Sequence, residues 1–263
     1  MQGPTHSQAL TAGLESPPVR IKLINPNTTP SMTALIAEAA RAVAGPGVVV
    51  EAVNPEHGPA SIEGHYDEAM SCLGLLDEVR KGEASGVDAY VIACFGDPGL
   101  DAAREIARGP VLGIAEAAMR AACFVATGFS VVTTLSRTVV IAEHLVHKYG
   151  VSGQCRAVRA SEIPVLELEN PDSDAYRKIL AECRQALALD RCGAIVLGCA
   201  GMADLCQRLS RELGVPVIDG VAAAVVMAEA LVRMGLATSK HGDYARPLPK
   251  AYAGLLAPYA VQA

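Results

Sequence analysis

The chain of 263 residues is 51% hydrophobic and 19% charged, and its formal net charge is −6 at pH 7. This composition is typical of a soluble globular protein, and the acidic balance argues against a nucleic-acid partner, whose phosphates require a basic surface. The longest apolar run, around residues 221–227, is too short to cross a bilayer. We therefore predict no membrane segment and no nucleic-acid partner.

Two kinds of segment alternate along the chain from residue 19 onward. Short runs rich in β-branched residues predict strands at 19–24, 48–53, 88–94, 110–114, 130–134, 155–159, 193–199 and 215–218. Longer, alanine-rich stretches predict helices after 30, at 66–81, from 98, and at 115–126, 137–149, 173–189, 202–213 and 221–234. This alternation predicts an α/β fold with crossover helices and largely parallel sheets.

One segment is repeated within the chain. VDAYVIAC ends at Cys94 and CGAIVLGC ends at Cys199, 105 positions later, and each is followed by a small-residue turn, a helix and a Pro-Val strand. Coincidence between two ordinary βαβ units is the alternative. A duplication predicts two pseudo-symmetric lobes that face each other across a cleft. We place lobe 1 at 19–114 plus 221–263, lobe 2 at 115–220, and a disordered leader at 1–18.

The eight cysteines form no C-x-x-C pair, and the N-terminus carries no secretory signal. This pattern predicts free thiols in a reducing cytoplasm and argues against a zinc site. No group of His, Asp and Glu has metal-ligand spacing, so we expect no metal. Six of the cysteines are interpreted as small apolar side chains: Cys72, Cys123, Cys155, Cys183, Cys192 and Cys206.

Cys94 and Cys199 differ because both end a predicted parallel strand, where open α/β sheets bind ligands. Each precedes a predicted helix, whose N-terminus lowers a thiol pKa below its usual value of about 8.5. Asp97 and Pro98 predict that the first of these helices begins close to Cys94. Two thiols on opposite faces of a ring can racemise a carbon acid, one removing a proton and the other returning one.

The backbone of the two turns offers donors for the charge that such a reaction places on a carbonyl oxygen. The candidates are the N–H groups of Phe95, Gly96, Ala200 and Gly201, because glycine lets a backbone approach a ligand closely. The sequence contains no phosphate-binding loop, dinucleotide fingerprint or serine-hydrolase elbow. We therefore predict a small-molecule substrate and no cofactor.

The segments INPNTT (24–29), CFGDPGL (94–100) and GCAGM (198–202) carry a specific resemblance. The chain resembles the hydantoin and allantoin racemases of the aspartate/glutamate racemase superfamily, from residue 19 to about 245. That resemblance implies two flavodoxin-like lobes, an active site between them, a homo-oligomer, and catalysis by two cysteines without metal or pyridoxal phosphate. Cys94 and Cys199 match those cysteines. By analogy Cys94 deprotonates the D-enantiomer and Cys199 the L-enantiomer, although no residue fixes the face of the ring.

Finer matches concern the substrate. Two segments resemble the allantoin racemases of purine degradation more than the broad hydantoin racemases: VVTTLSRTVVIAEHL (131–145) and VIDGVAAAV (217–225). A broad hydantoin racemase is the alternative function. The resemblance places Asn25 at the floor of the cleft, and Thr133 and Thr134 offer hydroxyls to the substrate. Turn chemistry explains Asn25 equally simply, and β-propensity or helix capping explains the threonines.

Further polar residues have simpler interpretations. Asp97 is expected to cap a helix rather than act as an acid or base. His57 and His65 lie in a predicted loop that is long enough for a lid or a binding loop. Lys240 and His241 reach the cleft or a neighbouring subunit or, as we favour, belong to a solvated C-terminal tail. Two other functions stay open: a single-thiol decarboxylase or isomerase of a diacid, which requires cationic anchors, and a binding module without catalysis.

Overall fold

The computed structural model of the protein describes residues 17–170 and 172–261. Of the predicted leader only Pro17 and Pro18 fall within this part, so the predicted disorder of residues 1–16 lies outside the described residues. Within the same ranges, none of the helices combines the length and apolar character that crossing a bilayer requires.

In the part of the chain that the structure describes, eight parallel strands form two four-stranded sheets. The first contains β1 (Val19–Ile24), β2 (Val48–Val53), β3 (Ala89–Ile92) and β4 (Val111–Gly113), in the order β2-β1-β3-β4. The second contains β5 (Phe129–Thr133), β6 (Cys155–Ala160), β7 (Ala194–Gly198) and β8 (Val217–Ile218), in the order β6-β5-β7-β8. The matching strand orders confirm the predicted α/β fold with two pseudo-symmetric lobes.

Among the described residues, eight α-helices connect and cover these strands. They are α1 (Pro30–Val43), α2 (His65–Ser85), α3 (Leu100–Ile106), α4 (Ile114–Val125), α5 (Val139–Lys148), α6 (Ala175–Leu189), α7 (Cys206–Leu213) and α8 (Gly220–Arg233). Short 3-10 helices occupy Ser136–Thr138, Val165–Glu169, Ala200–Leu205, Gly242–Tyr244 and Gly254–Tyr259. Each predicted helix is therefore present within the described residues. The sequence did not distinguish the 3-10 segments from α-helix or loop.

Two helix starts differ from the prediction. The helix expected from Pro98 begins at Leu100, because Asp97 (φ 45°) and Gly99 (φ 64°) both have left-handed backbones that an α-helix excludes. The helix expected at 202–213 is α-helical only from Cys206, after a 3-10 segment that follows Cys199 directly. Both differences lie immediately after the paired cysteines, where the chain turns away from its strand.

The central strands of both sheets are buried on both faces, which explains their continuous apolar sequence. Tyr90, Val91 and Ile92 in β3 are fully inaccessible, as are Ile195 and Val196 in β7. Helix α4 leads from β4 to β5, and α8 returns after β8 to pack against α1, α4 and β3. The residue boundaries of the two lobes stay a prediction.

Candidate active site

A cavity lies where the carboxyl ends of the two sheets face each other. It encloses about 590 Å³ between atoms, open mouth included, which suits a small ligand. Cys94 lies two residues beyond β3 and Cys199 directly follows β7, so each lobe contributes one half-buried cysteine to the wall. Six further predicted site residues line the same cavity: Asn25, Phe95, Gly96, Thr133, Thr134 and Ala200.

Gly201 does not line the cavity, but its backbone contacts the thiol beside it. The N–H of Gly201 lowers the pKa of the Cys199 thiol, and the N–H of Gly96 lowers that of the Cys94 thiol. A Cβ at Gly96 would contact the carboxylate of Glu68, so a larger residue here would require the Glu68 side chain to move. The two turns therefore direct equivalent N–H groups at equivalent sulfurs, rather than only at a substrate oxygen as the sequence suggested.

The prediction that helix termini lower the thiol pKa values is wrong. Burial is the largest influence and raises the pKa of Cys199 to about 11 and that of Cys94 well above its usual range. The glycine N–H groups oppose this rise, while the charge of Glu68 adds to it at Cys94. The α-helices begin too late to compensate, since α3 starts at Leu100 and α7 at Cys206. The unliganded site thus favours two neutral thiols.

Asp97 is a helix cap, as predicted, but of a different helix. Its carboxylate accepts hydrogen bonds from the N–H groups of Ala115 and Glu116 at the start of α4, both at 3.0 Å. The hydroxyl of Tyr149 donates to the same carboxylate at 2.5 Å. Burial raises the pKa of Asp97 to about 6 against the influence of these three donors. Asp97 is absent from the cavity wall, so we assign it no direct contact with a ligand.

Asn25 lines the cavity and is almost wholly buried. Its side-chain NH₂ donates to Oδ1 of Asn27 at 2.8 Å and to Oγ1 of Thr33 at 3.0 Å. These bonds use both of its donor hydrogens, whereas its carbonyl oxygen accepts only a long bond of 3.5 Å from the Asn27 N–H. The contact predicted between Asn25 and substrate stays a prediction, and this network restricts it to the carbonyl oxygen.

The two predicted threonines line the cavity at the end of β5, in the second sheet. The hydroxyl of Thr133 is 3.1 Å from that of Thr138 and donates to the carbonyl of Gly198, also at 3.1 Å. Because Gly198 immediately precedes Cys199, this bond fixes the end of β7 where the thiol begins. Thr134 is equally buried and lines the cavity beside it. A direct contact of either hydroxyl with substrate stays a prediction.

Glu68 is a cavity residue that the sequence reasoning missed. It lies in the first turn of α2, and its side chain is 18% exposed. Burial raises its pKa, and His65, whose Nδ1 lies 3.4 Å from Oε2, partly opposes that rise. Within the described ranges, Glu68 is the one charged side chain in the cavity wall. The sequence places Glu68 early in the helix predicted at 66–81, where a carboxylate is favourable near the positive end of the helix, so it gave no separate signal of a cavity residue.

The remaining polar candidates lie outside the cavity wall. His65 begins α2 rather than lying in a loop, and its ring stacks on His144 with centroids 6.5 Å apart. Lys240 donates from Nζ to the carbonyls of Arg104 and Glu105 at the end of α3, at 2.5 and 3.1 Å, so it is neither in the cleft nor free in solvent.

His57 lines a separate depression beside α2 and the C-terminal segment, and His241 is exposed. In the part of the chain that the structure describes, no cluster of three or more His, Cys, Asp or Glu is arranged to hold a metal ion. The absence of metal and cofactor from the reaction stays a prediction.

Comparison with known proteins agrees with this geometry. The model of the Asp/Glu/hydantoin racemase family matches residues 21–228, a range that includes both sheets almost entirely and both cavity thiols. The chain belongs to the Asp/Glu/hydantoin racemase family.

Individual relatives cover nearly the whole chain. A hydantoin racemase of Rhizobium meliloti is 57% identical over 236 residues, which represent 90% of this chain and 98% of that protein. The solved structure of an allantoin racemase from Klebsiella pneumoniae superposes with a TM-score of 0.90 at 58% identity, covering 92% of this chain and 99% of that one. An allantoin racemase structure from Pseudomonas fluorescens gives a TM-score of 0.87 at 42% identity, with 90% and 100% coverage.

Proposed function

We propose that this protein racemises allantoin within purine catabolism, using the thiols of Cys94 and Cys199 and no cofactor. The observation that carries the proposal is the placement of one cysteine from each lobe in the wall of a single small cavity. The high identity to proteins named allantoin racemase and hydantoin racemase supports a hydantoin ring as the substrate class. In the described ranges, the wall contains no lysine or arginine, which favours a neutral ring over a diacid.

In the proposed reaction, one thiolate removes the proton from C5 of the hydantoin ring. The electron pair of the broken C–H bond moves onto the adjacent ring carbonyl, and the thiol on the other face donates its proton to C5. The first sulfur ends as a thiol and the second as a thiolate, so charge and proton count are unchanged. The raised thiol pKa values make each thiolate a strong base, and the N–H groups of Gly96 and Gly201 stabilise whichever sulfur is charged.

The first test is the loss of optical rotation of (S)-allantoin with purified protein and no added cofactor, beside 5-substituted hydantoins. We expect allantoin to racemise much faster than hydantoins that carry alkyl groups at C5. Faster racemisation of the alkyl hydantoins would instead identify a broad hydantoin racemase, the alternative supported by the relative from Rhizobium meliloti. Failure with both substrate types would contradict the two-thiol chemistry.

A homo-oligomeric, cytoplasmic enzyme remains part of the proposal. Large apolar side chains, among them Phe124 and Leu255, are exposed on the described surface, which is consistent with association between copies. Sedimentation equilibrium tests the oligomeric state separately from activity. A monomer that racemises allantoin would contradict the proposed homo-oligomer and leave the proposed reaction intact.

A further inference from the structure

Asp97 connects the Cys94 turn to both lobes. It is 4% exposed, and its carboxylate accepts the N–H groups of Ala115 and Glu116 and the hydroxyl of Tyr149. The two N–H groups open α4, the helix that joins the sheets, whereas Tyr149 directly follows α5, which packs on β6 of the second sheet. One side chain therefore joins a catalytic turn of the first lobe, the connecting helix and the second lobe.

The surrounding backbone is shaped around this carboxylate. Asp97 has a φ of 45°, a region that non-glycine residues adopt at a cost of about 1 kcal/mol or more. Its N–H donates to the Cys94 carbonyl at 3.0 Å, which closes the turn that carries the thiol. A Cβ at Gly113 would overlap the Asp97 carboxylate, so glycine at the end of β4 leaves the space through which this carboxylate reaches α4.

We propose that Asp97 is a positioning residue, which holds the Cys94 turn at a fixed distance from the opposite thiol through its hydrogen bond with Tyr149. The inference rests on the proposed two-thiol reaction, in which both sulfurs must reach C5 from opposite faces. A misplacement of about 1 Å can reduce such a rate by about 100-fold. Because Asp97 does not line the cavity, it acts through Cys94 rather than on the substrate.

Tyr149→Phe separates this role from simple helix capping. The variant keeps both bonds from α4 and removes only the link to the second lobe. Tyr90→Phe is the matched control, because Tyr90 is also a buried tyrosine, its hydroxyl donates to the Glu83 carboxylate at 2.9 Å, and it lies on β3, the strand that leads to Cys94. Both variants thus lose one buried hydroxyl, but only Tyr149→Phe loses the hydrogen bond between the lobes.

The experiment combines thiol reactivity with steady-state kinetics on the full chain. Iodoacetamide alkylation is followed at Cys94 and Cys199 by peptide mass spectrometry, with Cys199 as the internal reference. For Tyr149→Phe we expect the Cys94:Cys199 rate ratio to rise at least about threefold as the turn loosens. We also expect kcat for allantoin to fall at least about tenfold with KM within about twofold. Tyr90→Phe should change neither quantity, and Asp97→Asn should change both in the same direction as Tyr149→Phe.

An alkylation ratio and kcat within about twofold of wild type, in both Tyr149→Phe and Asp97→Asn, would overturn the positioning role. Equal acceleration at both thiols would also overturn it, because that result indicates general loosening. If the wild-type protein does not racemise allantoin, the proposed function fails, yet the alkylation ratio still decides whether Asp97 and Tyr149 hold the Cys94 turn.

Discussion

At the scale of single residues, the two thiols show how burial and hydrogen bonding compete. The sequence predicted acidic thiols from nearby helix ends, but the cavity removes the sulfurs from water, and desolvation of a thiolate outweighs one N–H donor. The position of both cysteines was predictable from the repeated strand ends. Their pKa values were not, because burial in a cavity depends on side chains from both lobes.

The raised thiol pKa values predict the pH dependence of alkylation. An alkylating reagent attacks the thiolate, so its rate follows the ionised fraction of each cysteine. With the pKa of Cys199 at about 11, we expect its iodoacetamide rate to keep rising by about tenfold per pH unit through pH 9, where an ordinary thiol levels off. Stopped reactions analysed by peptide mass spectrometry measure this, and a plateau beginning near pH 8 would contradict the shift.

Glu68 provides a second prediction at this scale. Its charge raises the pKa of Cys94, so Glu68→Gln should increase the alkylation rate of Cys94 while leaving that of Cys199 nearly unchanged. The measurement is best made near pH 9, because the raised pKa of Glu68 favours an alkaline buffer for its ionised form. An Asp67→Asn variant, which alters a carboxylate in the same helical turn but outside the cavity wall, is the control. Equal rates for Cys94 in Glu68→Gln and wild type would exclude this electrostatic effect.

At the scale of elements, most helices and strands followed from the spacing of apolar residues. The exceptions were the turns after Cys94 and Cys199, where the backbone departs from the regular α-helix that the sequence predicts. Both turns border the candidate site. Asp97 illustrates why such contacts are missed. Asp219 caps α8, the helix that directly follows it in sequence, whereas Asp97 caps α4, a helix that begins well after it in the chain. A single sequence contains no signal for a capping contact formed with a helix 18 residues away.

Asp219 allows the local kind of cap to be measured. Its two carboxylate oxygens accept from the N–H groups of Val221 and Ala222, both at 2.9 Å, at the start of α8. Asp219→Ala should reduce the free energy of unfolding in urea by about 1–2 kcal/mol. Asp219→Asn keeps one acceptor oxygen and should lose less. An alanine variant as stable as wild type would show that α8 is held by packing alone.

At the scale of the whole molecule, the proposed function depends on the pairing of two similar lobes. The duplicated strand-Cys-turn unit in the sequence predicted this architecture, and the two sheets with the same strand order confirm it. The composition of the cavity was less accessible, because its wall combines residues from at least six separate segments. Glu68 was missed for this reason, whereas both thiols and the threonines were found from their places at strand ends.

The charge of the cavity predicts substrate discrimination. Within the described residues, the wall offers a carboxylate and no cation, so a substrate carboxylate would enter without a partner. We expect kcat/KM for 5-(carboxymethyl)hydantoin to be at least about 100-fold below that of its neutral amide, 5-(carbamoylmethyl)hydantoin. Polarimetry measures the racemisation of both substrates. In Glu68→Gln the ratio between their kcat/KM values should be smaller than in the wild type. Equal kcat/KM values for the two substrates would contradict this prediction and indicate a cationic group at the site.

The most direct test of the two-thiol account is C5–H exchange in heavy water by Cys94→Ser and Cys199→Ser, followed by NMR and polarimetry with each enantiomer of allantoin. Each variant should lose racemisation by about 100-fold or more. It should still exchange C5–H, without inversion, in the one enantiomer that its remaining thiol can deprotonate, and the two variants should act on opposite enantiomers. Racemisation at the wild-type rate by either variant would contradict the account.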